Sequence, residues 1–300
     1  MKGLLEVSRS SQSMMVNRMV EALQFEFMRN ALLAGVIASI ICGVIGSLIV
    51  VNRLVFLSGG IAHSAYGGIG LAFFFGWPYM LGAIGFSLMA AMLMAAVSIK
   101  SKQRADTIIG VMWAVGMAFG ILLLDMTPGY NVDLMSYLFG SILSVPRSDL
   151  ITMSIVGILI FILVFYFFQD LLVMSYDEEF ALVRGVPVKR LYYMLIGIVA
   201  ITVVMVVQVV GLILVIALLT IPPYIAEKYT RSLPQMMLLS CCFGMLFTVG
   251  GLWISYTLDV TSGAAIIFLA GTAFFFSLVF DRGLLLRKRL LMIRSHREEL

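Results

Sequence analysis

Apolar runs of about twenty residues recur along almost the whole chain, and this recurrence limits the fold more than any single motif does. At 1.5 Å per helical residue, a run of that length covers roughly 30 Å of hydrocarbon. Nine such runs are expected as membrane spans, near 31–51, 55–75, 79–99, 108–125, 148–168, 191–207, 211–229, 235–255 and 262–280. The stretch 191–229 is too long for one helix. It divides near Gln208–Gly211, where the one polar side chain of the run meets a glycine. A water-soluble domain is excluded on composition: with 62% hydrophobic and 12% charged residues, 300 residues could not bury that much apolar surface in one core. Inside lipid every backbone polar group needs an internal partner, so the fold class is all-α, a polytopic helical bundle.

Charge placement orients the bundle. With nine spans the termini lie on opposite sides. The turns around Arg53, Lys100–Arg104, Arg184–Arg190 and Lys228–Arg231, together with the tail Arg282–Arg297, then share one side and hold fifteen of the twenty Lys and Arg residues. Positive charge is retained on the cytoplasmic side, which puts the C-terminus inside and the N-terminus outside, in a cell (plasma or inner) membrane. The basic residues sit in short loops and not in a continuous recognition surface, so nucleic acid is not an expected partner; lipid is. Cys42, Cys241 and Cys242 all fall in apolar runs with no Cys-x-x-Cys spacing and read as packing residues.

Three segments are expected: a polar N-terminal segment 1–30, a membrane-spanning domain 31–281 with a cytoplasmic loop at 169–190, and a basic tail 282–300. The first segment lacks a signal-cleavage pattern. Its residues 16–30 alternate Val16, Met19, Val20, Leu23 and Phe27 with Arg18, Glu21, Glu26 and Arg29, as an amphipathic helix on the outer interface does. Between spans four and five, the apolar stretch beginning at Asp133 is too short to cross and suits a short helix tucked into the outer half.

Several residues carry possible function. His63 is the one histidine in an apolar span, and an ionisable residue there is a functional candidate. Gly59 and Gly67, one turn either side, leave room for a cation at the imidazole, or for a neighbouring helix against which His63 merely hydrogen-bonds. In the loop, Ser175 followed by Glu178 matches a capping box. Acids cluster at the start of that short helix, Arg184 lies at its end, and Gly185 and Pro187 stop it. The segment reads either as a rigid knob for a cytoplasmic partner or as an ordinary solvated helix. Pro222 and Pro223 mark either a hinge at the inner mouth or the end of a span. Asp125, Asp133, Asp149 and Asp259 stand at outer span ends, where they attract cations or cap helices. Gly35, Ser39, Gly43 and Ser47, and the pair Gly116 and Gly120, form small-residue faces for close helix packing. No phosphate loop and no nucleophile–base pair is present, so an enzyme is not expected.

Five segments in order resemble permeases of the zinc/manganese/iron ABC importer family. They are Leu48–His63, with its basic turn before the histidine; Tyr137–Val145, similar to that family's short outer helix; Asp177-Glu-Glu-Phe-Ala-x-x-x-Gly185, similar to its coupling helix; Val210–Pro222; and Leu252–Gly263. The resemblance runs from about residue 25 to 280. It implies a fold like the vitamin B12 importer permease (a type II ABC importer), with alternating access through a permease homodimer. It also implies a separate ATPase subunit that uses ATP and Mg, and an extracytoplasmic metal-binding receptor; the chain itself would hold no cofactor. Coupling to the ATPase would fall to Asp177, Glu178, Glu179, Phe180, Ala181, Arg184 and Gly185. The metal pathway would pass His63, with Asp133 and Asp259 as further candidates, and Pro222, Pro223, Gly59 and Gly67 would serve as hinge or gate. Two positions depart from the pattern: the family's Asp four residues before the histidine is Gly59 here, and the Pro of its Asp-Leu-Pro-Ser-Gly motif is Thr261. The missing carboxylate leaves open a chelated metal or another small nutrient as cargo. An ATP-independent channel or ion-coupled carrier is the alternative from another class, against which the scarcity of charge within the spans speaks.

Overall fold

The computed structural model describes residues 24–100, 104–127, 140 and 142–298, with only the helix backbone described from 281 onward. Among the described residues the chain is helical throughout: α1 (Glu26–Val51), α2 (Val55–Phe75), α3 (Tyr79–Lys100), α4 (Ala105–Asp125), a 3-10 turn (Ile142–Ser144), α5 (Arg147–Tyr166), α6 (Phe168–Tyr176), α7 (Glu178–Val183), α8 (Val188–Val210), α9 (Leu212–Tyr229), α10 (Leu233–Leu258) and α11 (Ser262–Glu298). Among the described residues eight helices are long and apolar enough to cross a membrane: α1, α3, α4, α5, α8, α9, α10 and residues 262–280 of α11. The ninth expected span, α2, has the length but falls outside that set. Ser58, His63, Ser64, Tyr66 and five glycines dilute its apolar run. It is surrounded by α3, α4 and α8, and protein replaces lipid as its environment.

The helices form two groups. One is α2 with α3, α4 and α8; the other is α1 with α9, α10 and α11. α8 touches both, and α5 packs on the outside against α1. The first group is joined by backbone contact. A β-carbon on Gly68 would run into the carbonyl of Gly82 and one on Gly82 into that of Gly68, while Gly70 faces the backbone of Gly120. Such approach is open only to glycine, and it explains the glycine content of α2. The second group is joined by small polar side chains. Ser39 Oγ and Thr248 Oγ1 lie 2.9 Å apart, Ser47 Oγ lies 3.3 Å from Ser240 Oγ, and Ser47 also donates to the Gly43 carbonyl at 2.7 Å. The face Gly35–Ser39–Gly43–Ser47 thus packs on α10, as its spacing predicts. Cys42, Cys241 and Cys242 are free thiols.

Contacts between helix ends sort the turns onto two faces. On one, Arg147 Nε pairs with Glu26 Oε1 at 2.8 Å, Asn30 donates to the Val145 carbonyl, and Gln208 donates to the Tyr79 hydroxyl. On the other, Asn52 meets Ser175, Tyr192 meets Ser98, and Lys228 meets Ser277. The turns rich in Lys and Arg belong to this second face.

Two expectations change, and others lie wholly or partly outside the described residues. The first span begins at Glu26, so 26–30 is part of α1, and the rest of the expected interfacial helix, up to residue 23, lies outside the described residues. The short outer helix from Asp133 also lies outside them, apart from Gly140 and the 3-10 turn. The loop 169–190 is two short helices and not one: α5 kinks at Phe167 and continues as α6, whose Leu171 is fully buried. The division near Gln208–Gly211 stands. Gly211 (φ 87°, ψ 161°) separates α8 from α9 in a conformation that side-chain-bearing residues avoid, and Gly140 packs onto that break.

Candidate functional site

His63 lies midway along α2, half-buried against α4. Its ring stacks on Trp113, with centroids 4.3 Å apart and planes 18° from parallel, and the Phe56 ring centre, from the same helix as His63, lies 6.0 Å from that of Trp113. Nδ1 of His63 is buried and has no hydrogen-bond partner. A metal-binding histidine is usually held in orientation by a hydrogen bond at its second nitrogen. Here the indole face of Trp113 holds the ring, a contact worth about 0.5–1.5 kcal/mol beyond the area it buries. The two flanking glycines differ. A β-carbon on Gly59 would meet nothing within 4 Å, so the space expected there exists. A β-carbon on Gly67 would lie 2.5 Å from the Phe86 ring and 3.0 Å from the Gly116 carbonyl, so that side is filled by packing.

The acidic candidates do not gather at His63. Among the described residues no three of His, Cys, Asp and Glu come together as a metal site. Asp259 ends α10 in the left-handed conformation (φ 53°), where it closes the helix, and the next residue, Val260, accepts from Ser255 Oγ at 2.5 Å. Asp149 stands in the first turn of α5, one of whose flanking residues, Pro146, is the N-cap; it complements the helix dipole and does not cap. Asp125 lies in the last turn of α4. Asp133 is outside the described residues.

The short helix in the loop 169–190 is set by local hydrogen bonds. Asp177 is its N-cap, with Oδ1 accepting from the Phe180 amide at 2.9 Å. The expected capping box led by Ser175 does not form, because Ser175 is still inside α6. At the other end the Val186 amide donates to the Ala181 carbonyl and the Gly185 amide to that of Leu182, both at 3.0 Å, with Gly185 at φ 79°. This paired closure needs a left-handed residue, and glycine supplies it without strain. Ala181 is fully buried and anchors the helix, while Phe180, Leu182 and Val183 are 51%, 58% and 86% exposed. Glu178 and Glu179 occupy the first turn, and the Arg184 guanidinium lies 6.0 Å from the Phe180 ring centre. Three apolar side chains facing water on a two-turn helix mark a surface built to be covered.

Pro222 and Pro223 lie inside α9, which continues to Tyr229, so they do not end the span. Each lacks an amide donor, which frees the carbonyls four residues earlier, at Leu218 and Leu219. α1 approaches there: a β-carbon on Gly46 would lie 2.5 Å from the Leu219 carbonyl oxygen and 2.8 Å from Pro223 Cγ. The prolines therefore sit at a close crossing of α1 and α9.

Trp113 and Asn52 are neighbours of these candidates that sequence reading alone missed, and Ser175, read there as a cap, is instead the partner of Asn52. For Trp113 the available signal was a lone tryptophan inside a span carrying a small-residue face.

The chain matches the ABC 3 transport family over residues 24–281. It is 52% identical over 268 residues to an uncharacterized membrane protein of Synechocystis, covering 89% of this chain and 95% of that one. It is 33% identical over 261 residues to the manganese transport system membrane protein MntC of Halalkalibacterium halodurans, covering 86% and 89%. Among solved structures it is similar to PsaBC from Streptococcus pneumoniae in complex with Fab, with a TM-score of 0.79, 33% identity and coverage of 87% of this chain and 95% of that one. The expected all-helical importer-permease architecture is borne out by that overlay. The chain belongs to the ABC 3 transport family, the permease family its five motifs resemble.

Proposed function

We propose that this chain is the membrane-spanning subunit of an ABC importer for a divalent transition metal, manganese foremost among zinc, manganese and iron. A self-capped helix, α7, that presents Phe180, Leu182 and Val183 to water at the basic end of an ABC 3 family bundle carries the reading. Manganese is supported by relatives such as MntC, named for manganese transport.

In this reading a receptor delivers the metal to the outer mouth. Two copies of the chain enclose the passage, and His63, held by Trp113, contacts the ion in transit. A separate ATPase uses ATP and Mg. Phe180, with its neighbours Glu178, Glu179 and Arg184, seats in that ATPase, while Asp177, Ala181 and Gly185 keep α7 rigid enough to transmit its motion. Pro222 and Pro223 bend where α9 crosses α1, and alternating access follows. Basic turns at the α7 end support a cytoplasmic side for that face and the C-terminus, with the N-terminus outside.

Manganese uptake in cells stripped of their own importer tests this. Cells given the chain with its ATPase and receptor gain uptake that an inactive ATPase abolishes; unchanged uptake overturns the reading. The open space beside Gly59 favours a second reading, a chelated cargo. Competition at the receptor separates the two, since a chelate that displaces free ion supports the second.

A further inference from the structure

The turn between α1 and α2 is the shortest covalent route from the cytoplasmic face to His63, and it is unusually constrained. The Leu54 amide donates to the Ile49 carbonyl at 2.8 Å and the Arg53 amide to that of Val50 at 3.0 Å. The motif needs a left-handed residue, and Arg53 fills that place at φ 57°. A residue with a β-carbon is strained there. A strained closure persists only where the surroundings over-determine it, and Asn52 provides the fixing. Its Nδ2 donates at 2.8 Å to the Leu48 carbonyl, which also accepts from the Asn52 amide at 3.1 Å, and at 2.8 Å to Ser175 Oγ across 123 residues of sequence. Ser175 stands two residues before Asp177, the N-cap of α7.

We infer that the Asn52–Ser175 hydrogen bond is the transmission contact that carries displacement of α7 to α2, making both residues positioning residues for transport. The inference rests on the reading of α7 as the ATPase docking helix. Three features let the contact transmit movement. α6 is seated by Leu171, fully buried, and so moves with the wall of the bundle. The turn is closed by two backbone hydrogen bonds and does not absorb displacement. α2 is packed by backbone contact at Gly68 and Gly70, and so shifts as a unit. A push on α7 thus reaches the base of α2 through one side-chain pair. From the turn onward it travels along a rigid helix to His63, eight residues past Val55 and about 12 Å along the axis at 1.5 Å per residue.

The assembled permease–ATPase complex in proteoliposomes tests this, with manganese imported and ATP hydrolysed measured together. Asn52→Ala and Ser175→Ala each lower manganese imported per ATP by threefold or more, at unchanged ATPase rate and unchanged complex yield. The double variant is no worse than either single one, because both remove the same bond. A ratio equal to the unsubstituted complex in both variants overturns the inference, as do additive losses in the double variant. If the unsubstituted complex itself shows no ATP-driven import, the failure belongs to the proposed function and not to this contact.

Discussion

Helices α2 and α7 lie at the two ends of the proposed coupling route, and they are stabilised in opposite ways. α2 is held by contact between its glycine backbones and those of α3 and α4. α7 is held almost wholly by its own caps, with Ala181 as its one buried anchor, and its large side chains face outward. The difference teaches where change is tolerated. A helix fixed by backbone proximity has no slack, because no side chain can turn aside. A helix fixed by its own caps keeps its shape when its outer face is altered, so the outer face is free to be shaped by a partner.

Substitutions break this contrast in order of size. Gly68→Val drives a branched side chain into the Gly82 backbone and costs about 3 kcal/mol, the upper end of ordinary overpacking. The expected outcome is a large drop in thermal midpoint and loss of purified permease. A near-native midpoint would show that α2 is not locked by backbone contact. Phe180→Asp leaves the fold intact and removes the buried area of one aromatic from the docked state. That is worth about 1.5–3 kcal/mol, or roughly tenfold to a hundredfold weaker binding of the ATPase, read by co-purification. Asp177→Ala removes the N-cap and costs about 1 kcal/mol locally, seen as faster amide exchange in 178–183 with exchange in α2 unchanged. Gly59→Ala is the smallest change. It meets nothing within 4 Å and raises helix propensity, so stability is equal or higher by up to about 1 kcal/mol. A clear loss of stability in Gly59→Ala would erase the distinction drawn between Gly59 and Gly67.

The helices were legible because length and apolarity are written locally. The same holds for the small-residue face Gly35–Ser47 of α1 and for the C-terminal end of α7 at Arg184 and Gly185. Contacts made across the sequence were not. Gly59 and Gly67 look alike in the chain, and only Phe86, from the next helix, distinguishes them. Ser175 has the spacing of a cap, yet α6 persists through Tyr176 and the role passes to Asp177. Trp113 beside His63, and Asn52 beside Ser175, are pairings that no local pattern encodes.

The account turns on α7 being driven by a nucleotide-hydrolysing partner. A cysteine at position 180 (Phe180→Cys), introduced into a chain whose Cys42, Cys241 and Cys242 have been replaced by serine or alanine, permits site-specific cross-linking in membranes containing the companion ATPase. The account predicts one cross-linked product containing that ATPase, with a yield that changes on adding ATP. No product with the ATPase, under conditions in which it co-purifies with the chain, would contradict it.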